Sequence, residues 1–205
     1  GLDHPDDYEF LNRGISGNRI VDVYARIKCD FINLKPDYAS IYVGVNDAWH
    51  EIEWQNGVED EKFEKIYGMM IDEVQAACPG IKLMLIAPFV LEGWATKATE
   101  EQPDRLNQFR IHVAYRIEVI RRIARKYDLP FVDMQAIFDE ACAAAAVACR
   151  VDVARKMSVP VDSAEFEAAC AVAGAACFTG DGAHPTPAGH ELLKRAWLQA
   201  FETIR

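Results

Sequence analysis

Residues 38–47 read Tyr38-Ala39-Ser40-Ile41-Tyr42-Val43-Gly44-Val45-Asn46-Asp47. A run of β-branched, aromatic and small residues stops at a glycine, and polar residues follow at once. That is the pattern of a strand that is buried along its length and ends in a sharp turn. Lys35-Pro36-Asp37 in front of it halts whatever precedes, because proline disfavours helix at the residue before it. The strand therefore spans 38–44.

The same alternation continues in both directions. Glu59–Ala77 has Phe63, Ile66, Met70, Ile71 and Val74 at helical spacing and stops at Pro79-Gly80. Ile81–Phe89 follows as an apolar strand. Asp104–Tyr127 is a long helix with Phe109, Val113, Ile117, Ile120 and Ile123 on one stripe, and Leu129–Met134 is the next strand. Upstream, Tyr8–Ile15 reads as a strand and Arg19–Asn33 as an amphipathic helix. Thr186 and Pro187 open a last helix that runs to about Ile204. Strands joined by helices of a dozen or more residues pair in parallel with right-handed crossovers. The expected fold is α/β, a three-layer α/β/α sandwich, and ligands in such sheets bind beyond the carboxyl ends of the strands.

The 205 residues carry a formal charge of −10, with 51% hydrophobic and 26% charged residues. This is the composition of one globular domain, 1–205. The negative charge argues against nucleic acid or an anionic membrane surface as partner. No apolar run reaches the roughly 18 residues of a membrane helix, and no signal peptide is evident, so a cytoplasmic location is expected. Six cysteines (Cys29, Cys78, Cys142, Cys149, Cys170, Cys177) include no Cys-x-x-Cys. Buried free thiols are the expected state, with a disulfide between the Cys142–Cys149 and Cys170–Cys177 segments as the alternative. Residues 141–180 stand apart as an alanine-rich helical insertion, Ala141–Cys149 and Ala164–Cys177 around a central 151–163. It reads as a surface hairpin or as a lid leading into Asp181.

Three short stretches carry polar groups suited to chemistry. Asp181-Gly182-Ala183-His184-Pro185-Thr186 places a carboxylate three residues before an imidazole. A carboxylate there can hold Nδ1–H and leave Nε2 as a general base, or simply cap a turn. Gly44-Val45-Asn46-Asp47 projects an asparagine N–H where an oxyanion would develop, while Asp47 can tie the loop to its own backbone; an ordinary turn would look the same. Ser16-Gly17-Asn18 follows a strand and precedes a helix, so the Gly17 amide can face an anion, or merely complete a turn. His190 lies within the last helix and suits packing. Trp49, Trp54 and Trp94 fall in or near loops after strands, where an indole can stack on a sugar or pack against neighbours.

With these residues quoted, the chain resembles the SGNH (GDSL-type) hydrolases, whose fold is flavodoxin-like, and among them the acetylxylan-esterase-like acylhydrolases. The resemblance covers most of 8–140 and 178–205, through Asn12-x-Gly14-Ile15-Ser16-Gly17-Asn18, Gly44-x-Asn46-Asp47-x-Trp49, the Ala87-Pro88-Phe89 strand end and Asp181-Gly182-x-His184-Pro185-Thr186. It implies that Asp181 and His184 are acid and base, that Gly17 and Asn46 are oxyanion donors, and that no metal or organic cofactor is needed. The implied substrate is a small acyl ester, such as an acetylated sugar. The resemblance also calls for a serine in Gly-Asp-Ser on a first central strand, and the 205 residues contain no Gly-Asp-Ser.

The chain opens at Gly1, not at methionine, and seven residues precede Tyr8. It reads as a sequence whose first strand and following helix are missing, which would open a seam in the sheet and favour homo-oligomers. Of its four serines, Ser163 follows a short apolar run and an aspartate, and mimics the lost order strand–nucleophile–helix. Asp162 with Glu165 also fits a capping box there, and Pro160 suits a central strand poorly. Ser16 neighbours the expected oxyanion donor, Ser40 lies within a strand, and neither Ser40 nor Ser158 has a base in predictable reach. A domain that binds esters or carbohydrates without cleaving them is the alternative function.

Overall fold

A computed structural model describes residues 7–205. Helices α1 (Ile20–Ala25) and α2 (Ile27–Asp30) and a 3-10 turn (Ile32–Leu34) lead to strand β1 (Tyr38–Tyr42). Helices α3 (Val45–Trp54) and α4 (Asp60–Ala77), strand β2 (Lys82–Ala87), helix α5 (Arg105–Lys126) and strand β3 (Phe131–Asp133) follow. Helices α6 (Met134–Lys156), α7 (Ala164–Ala176) and α8 (Pro187–Phe201) complete the chain. The strands form one parallel sheet in the order β1–β2–β3.

Leu83, Met84, Leu85, Ile86 and Ala87 are all buried, as a central parallel strand requires. Their side chains alternate between faces. Leu83 and Leu85 join Ile41, Val43, Phe63, Met70 and Ile120 under α1, α4 and α5. Ile86 joins Val132, Phe138 and Ala196, with Leu193 and Trp197 beside them, under α6 and α8. Helices thus cover both faces of the sheet, which is the three-layer α/β arrangement expected from the sequence.

Several boundaries differ from the sequence reading. Tyr8–Ile15 is irregular, not a strand. A strand needs a neighbour to pair with, and none is present for it among the described residues. Phe10, Leu11 and Ile15 are exposed, and Tyr8 packs edge-on against Tyr38 and Phe201 instead. The expected helix 19–33 breaks at Arg26, whose guanidinium is drawn to Asn18 Oδ1 (3.0 Å) and Arg13 O (2.9 Å). Residues 44–47, read as a turn, instead open helix α3, which starts directly after Gly44 and runs to Trp54. The alanine-rich helix starts at Met134, not Ala141, because Asp133 caps it by accepting from Ala136 N–H. Its partner α7 is capped by Ser163 itself and not by Asp162. Gly174 lets the two helices touch, since a Cβ there would lie 2.4 Å from Cys142 O. All six cysteines are free, with no disulfide between the two segments, but only Cys78 and Cys170 are buried as expected; Cys142 and Cys149 are half-buried, and Cys29 and Cys177 are exposed. Among the described residues no helix is long and apolar enough to cross a membrane.

Strand β1 has no strand partner on its other side among the described residues. Asp37 O accepts from Lys82 N–H, so residues 37, 39 and 41 face β2. The backbone groups of Tyr38, Ser40 and Tyr42 then point outward, as alternate residues of a parallel ladder must. Beside this edge lies an open groove of about 340 Å³ lined by Tyr42, Ile86, Val132, Leu193 and Trp197. We propose that chains associate through this edge, since unpaired strand groups beside apolar surface template further pairing. Static light scattering on the purified chain should report at least two chains per particle, and a clean monomer would contradict the proposal.

Candidate active site

The acid–histidine pair forms as the sequence suggested. His184 Nδ1 lies 2.5 Å from Asp181 Oδ2. The other carboxylate oxygen accepts from the backbone N–H of His184 (2.8 Å) and Ala183 (2.9 Å), so the loop curls around its own acid. Thr179, fully buried, donates to His184 O (2.9 Å) and accepts from Gly182 N–H (2.9 Å). Burial pushes the Asp181 pKa up, but the two backbone N–H groups and the imidazole outweigh it and hold the carboxyl below its ordinary range. With the acid ionised, the shared proton belongs on Nδ1 and Nε2 keeps a lone pair. The His184 side chain is 81% exposed, so Nε2 is open to an incoming group.

This loop is held by a segment that the sequence reading passed over. After β2 the chain runs through Pro88-Phe89-Val90 into residues 91–96, which hydrogen bond to the acid's loop along its backbone. Leu91 N–H donates to Gly182 O (2.8 Å), Trp94 N–H to Gly180 O (3.0 Å) and Ala95 N–H to Asp181 O (3.2 Å). Buried Thr96 closes the turn by donating to Leu91 O (2.7 Å). Only glycine fits at 93, where a Cβ would stand 2.2 Å from both Asp181 C and Gly182 N. A glycine six residues after the end of β2 was the one available signal, and it is common in loops.

The second pair of expected residues sits after β1. Asn46 lies in the first turn of α3 and donates from Nδ2 to Asn18 O (3.1 Å). One amide hydrogen is spent on that contact, and the other remains for a ligand. Gly17 adopts φ +81°, a left-handed conformation that glycine takes without strain, and its amide meets no acceptor among the described residues. Asp47 bonds its own backbone N–H, as the sequence suggested, and also reaches a distant partner. It is wholly buried and accepts from Ile20 N–H, 3.0 Å to Oδ1 and 3.2 Å to Oδ2. Burial pushes its pKa up to about 6, against the pull of Ile20 N–H and Arg116.

Gly17–Asn46 is therefore tied to the segment after β1, and Asp181–His184 to the segment after β2. No hydrogen bond joins one pair to the other among the described residues. Ser163 lies apart from both. Its hydroxyl donates to Pro160 O (2.7 Å) and accepts from Phe166 N–H (3.2 Å). The whole of α7, 13 residues or about 20 Å, separates it from the acid's loop. Trp54 and Trp94 are exposed, whereas Trp49 packs on Phe109. His190 lines the groove under α8.

Two outcomes follow from this geometry. Gly93→Ala should destabilise the chain by about 1–3 kcal/mol, the usual cost of overpacking, in urea melts, and should shift the His184 ring resonances in NMR spectra. For Asp181, a folded pKa below the unfolded value near 3.9 means stability that is present at neutral pH and lost in acid. The stability difference between wild type and Asp181→Asn, measured by urea titration, should be constant above about pH 5 and shrink below about pH 4. A difference that grows in acid would reverse the assignment.

Residues 3–192 match the model of the GDSL-like lipase/acylhydrolase family. The acetylxylan esterase of Geobacillus stearothermophilus is 30% identical over 203 residues, which cover 95% of this chain and 74% of that enzyme. The solved structure of Axe2, an acetylxylan esterase of the same organism, superposes with a TM-score of 0.62 at 27% identity, covering 93% of this chain and 70% of that one. Its catalytic mutants, with a serine, a histidine or an aspartate replaced by alanine, superpose with TM-scores of 0.63, 0.64 and 0.65. The extent of the family match and the identity to this esterase lead to one conclusion: the chain belongs to the GDSL-like lipase/acylhydrolase family.

Proposed function

We propose that the chain supplies the acid–base pair and the oxyanion donors of a serine-type carboxylic ester hydrolase acting on small acyl esters, acetylated sugars among them. The observation that carries this reading is the 2.5 Å contact between Asp181 and an imidazole that is otherwise open to solvent. The relative's catalytic aspartate and histidine are three positions apart, as Asp181 and His184 are. In this chemistry His184 Nε2 takes the proton of a serine hydroxyl as its oxygen attacks the ester carbonyl. Asp181 holds the ring and stabilises the imidazolium. Gly17 N–H and the free hydrogen of Asn46 Nδ2 receive the negative oxygen. The imidazolium then protonates the departing alcohol, and water, deprotonated by His184, releases the acyl group.

The serine is the element these residues do not supply. Ser163 is bound into its helix cap at the far end of α7, and no serine hydroxyl hydrogen bonds to His184 among the described residues. We therefore propose that the 205 residues by themselves turn over esters only feebly, since loss of a triad nucleophile typically leaves a small remainder of the rate. The unpartnered Nε2 also favours a second reading, a domain that binds esters or carbohydrates without cleaving them.

Initial rates with p-nitrophenyl acetate, combined with fluorophosphonate labelling and peptide mass spectrometry, separate these readings. The expected result is a weak rate above buffer that His184→Ala abolishes, with no labelled serine. An excess rate that survives His184→Ala would remove the pair as base. Saturable binding of an acetylated xylo-oligosaccharide with no excess rate would establish the second reading, and labelling at Ser163 would show a rearranged nucleophile.

A further inference from the structure

The turn that carries Gly17 is short, exposed on one side and followed by a six-residue helix. Such a segment does not hold an amide in a fixed direction by itself. Its anchors come from Arg26 at the end of α1, which donates to Asn18 Oδ1 and Arg13 O, and from α3 and the loop behind it. Arg19 Nη1 donates to Asn56 O (2.7 Å) and Asn56 Oδ1 (3.1 Å), both at the surface. Asn46 Nδ2 donates to Asn18 O. Ile20 N–H donates to both oxygens of Asp47, and this is the one anchor buried in the core.

We propose that Asp47 is the positioning residue of the oxyanion site, fixing the Gly17 amide relative to the Asn46 side chain through its bond to Ile20 N–H. The inference rests on the reading of Gly17 and Asn46 as oxyanion donors. Asp47 and Asn46 are consecutive on α3, so the residue that offers one donor stands beside the post that holds the other. The alternative, a carboxylate present only to stabilise the fold, fits the site poorly. Tyr67 and Arg116 pack behind it from α4 and α5, yet Tyr67 Oη and Arg116 Nε are buried without a hydrogen-bond partner among the described residues. Arg116 is committed elsewhere, to Asp60 (2.7 Å) and Val58 O (2.7 Å). Ile20 N–H, its own N–H, Arg116 and Arg19 all favour the carboxylate, yet burial outweighs them and holds the pKa raised, so this acid is a costly way to stabilise a fold. Its direct hydrogen bond goes to the turn beside Gly17.

The test is NMR on the purified chain, which requires no turnover. In Asp47→Ala, exchange of the Ile20 amide should accelerate about tenfold or more, as expected when a hydrogen bond to a charged acceptor is lost. The Gly17 amide and Asn46 side-chain amide resonances should move with it. Asp47→Asn keeps an acceptor and should restore slow exchange. In the wild type the Gly17 resonance should also titrate with a component near pH 6 that Asp47→Asn removes. The charged or titratable groups around Asp47 are Arg19, His50, Tyr67 and Arg116, and burial holds the His50 imidazole below its ordinary range. Any component that persists in Asp47→Asn belongs to another group. A Gly17 amide indifferent to Asp47→Ala, or a pH 6 component unchanged in Asp47→Asn, would overturn the proposal. Should Asp47→Ala not fold, the Asp47→Asn titration decides alone. Failure here would leave the p-nitrophenyl acetate result untouched.

Discussion

The backbone contact between residues 91–95 and residues 180–182 is the constraint on which the candidate site depends. Asp181 and His184 belong to a loop that joins α7 to α8, and neither helix contributes a strand to the sheet. Three N–H groups from the segment after β2 bind this loop, and the missing side chain at Gly93 lets the two backbones meet. The dyad is thereby referenced to the most buried strand of the molecule. Bonds between backbone groups suit the task, because they fix position without depending on the side chains that must stay free to react.

A parallel arrangement prevails on the other side. Gly17 and Asn46 are referenced to β1, one strand over, through α3. Two loops that are distant in sequence are thus each anchored to the segment that follows a neighbouring strand.

Much of this was legible in the chain. The apolar run of β2, the helical stripes of α4 and α5 and the turn chemistry around Pro36 and Pro79 located the sandwich, because burial on two faces demands continuous hydrophobic strands. Asp181 and His184 were readable because a three-residue spacing lets the acid reach its own histidine. What could not be read depended on partners far away in sequence. Tyr8–Ile15 has strand-like composition and, among the described residues, no strand to pair with. Asp47 bonds its own backbone as a local turn-former would, but its second partner lies 27 residues earlier. The loop 91–96 has no distinctive composition, since its work is done by backbone atoms.

The exposure of His184 bears on how strongly the dyad can act. At 81% exposure the imidazole sits in a medium close to bulk water, where two unit charges 4 Å apart attract by only about 1 kcal/mol. The same pair under a layer of protein or bound substrate, at an effective dielectric constant near 20, gains roughly fourfold in that attraction. The electrostatic power of Asp181 over an imidazolium is therefore a property of the covered site. Whatever settles over His184, whether a small molecule or another length of polypeptide, strengthens that attraction by displacing water.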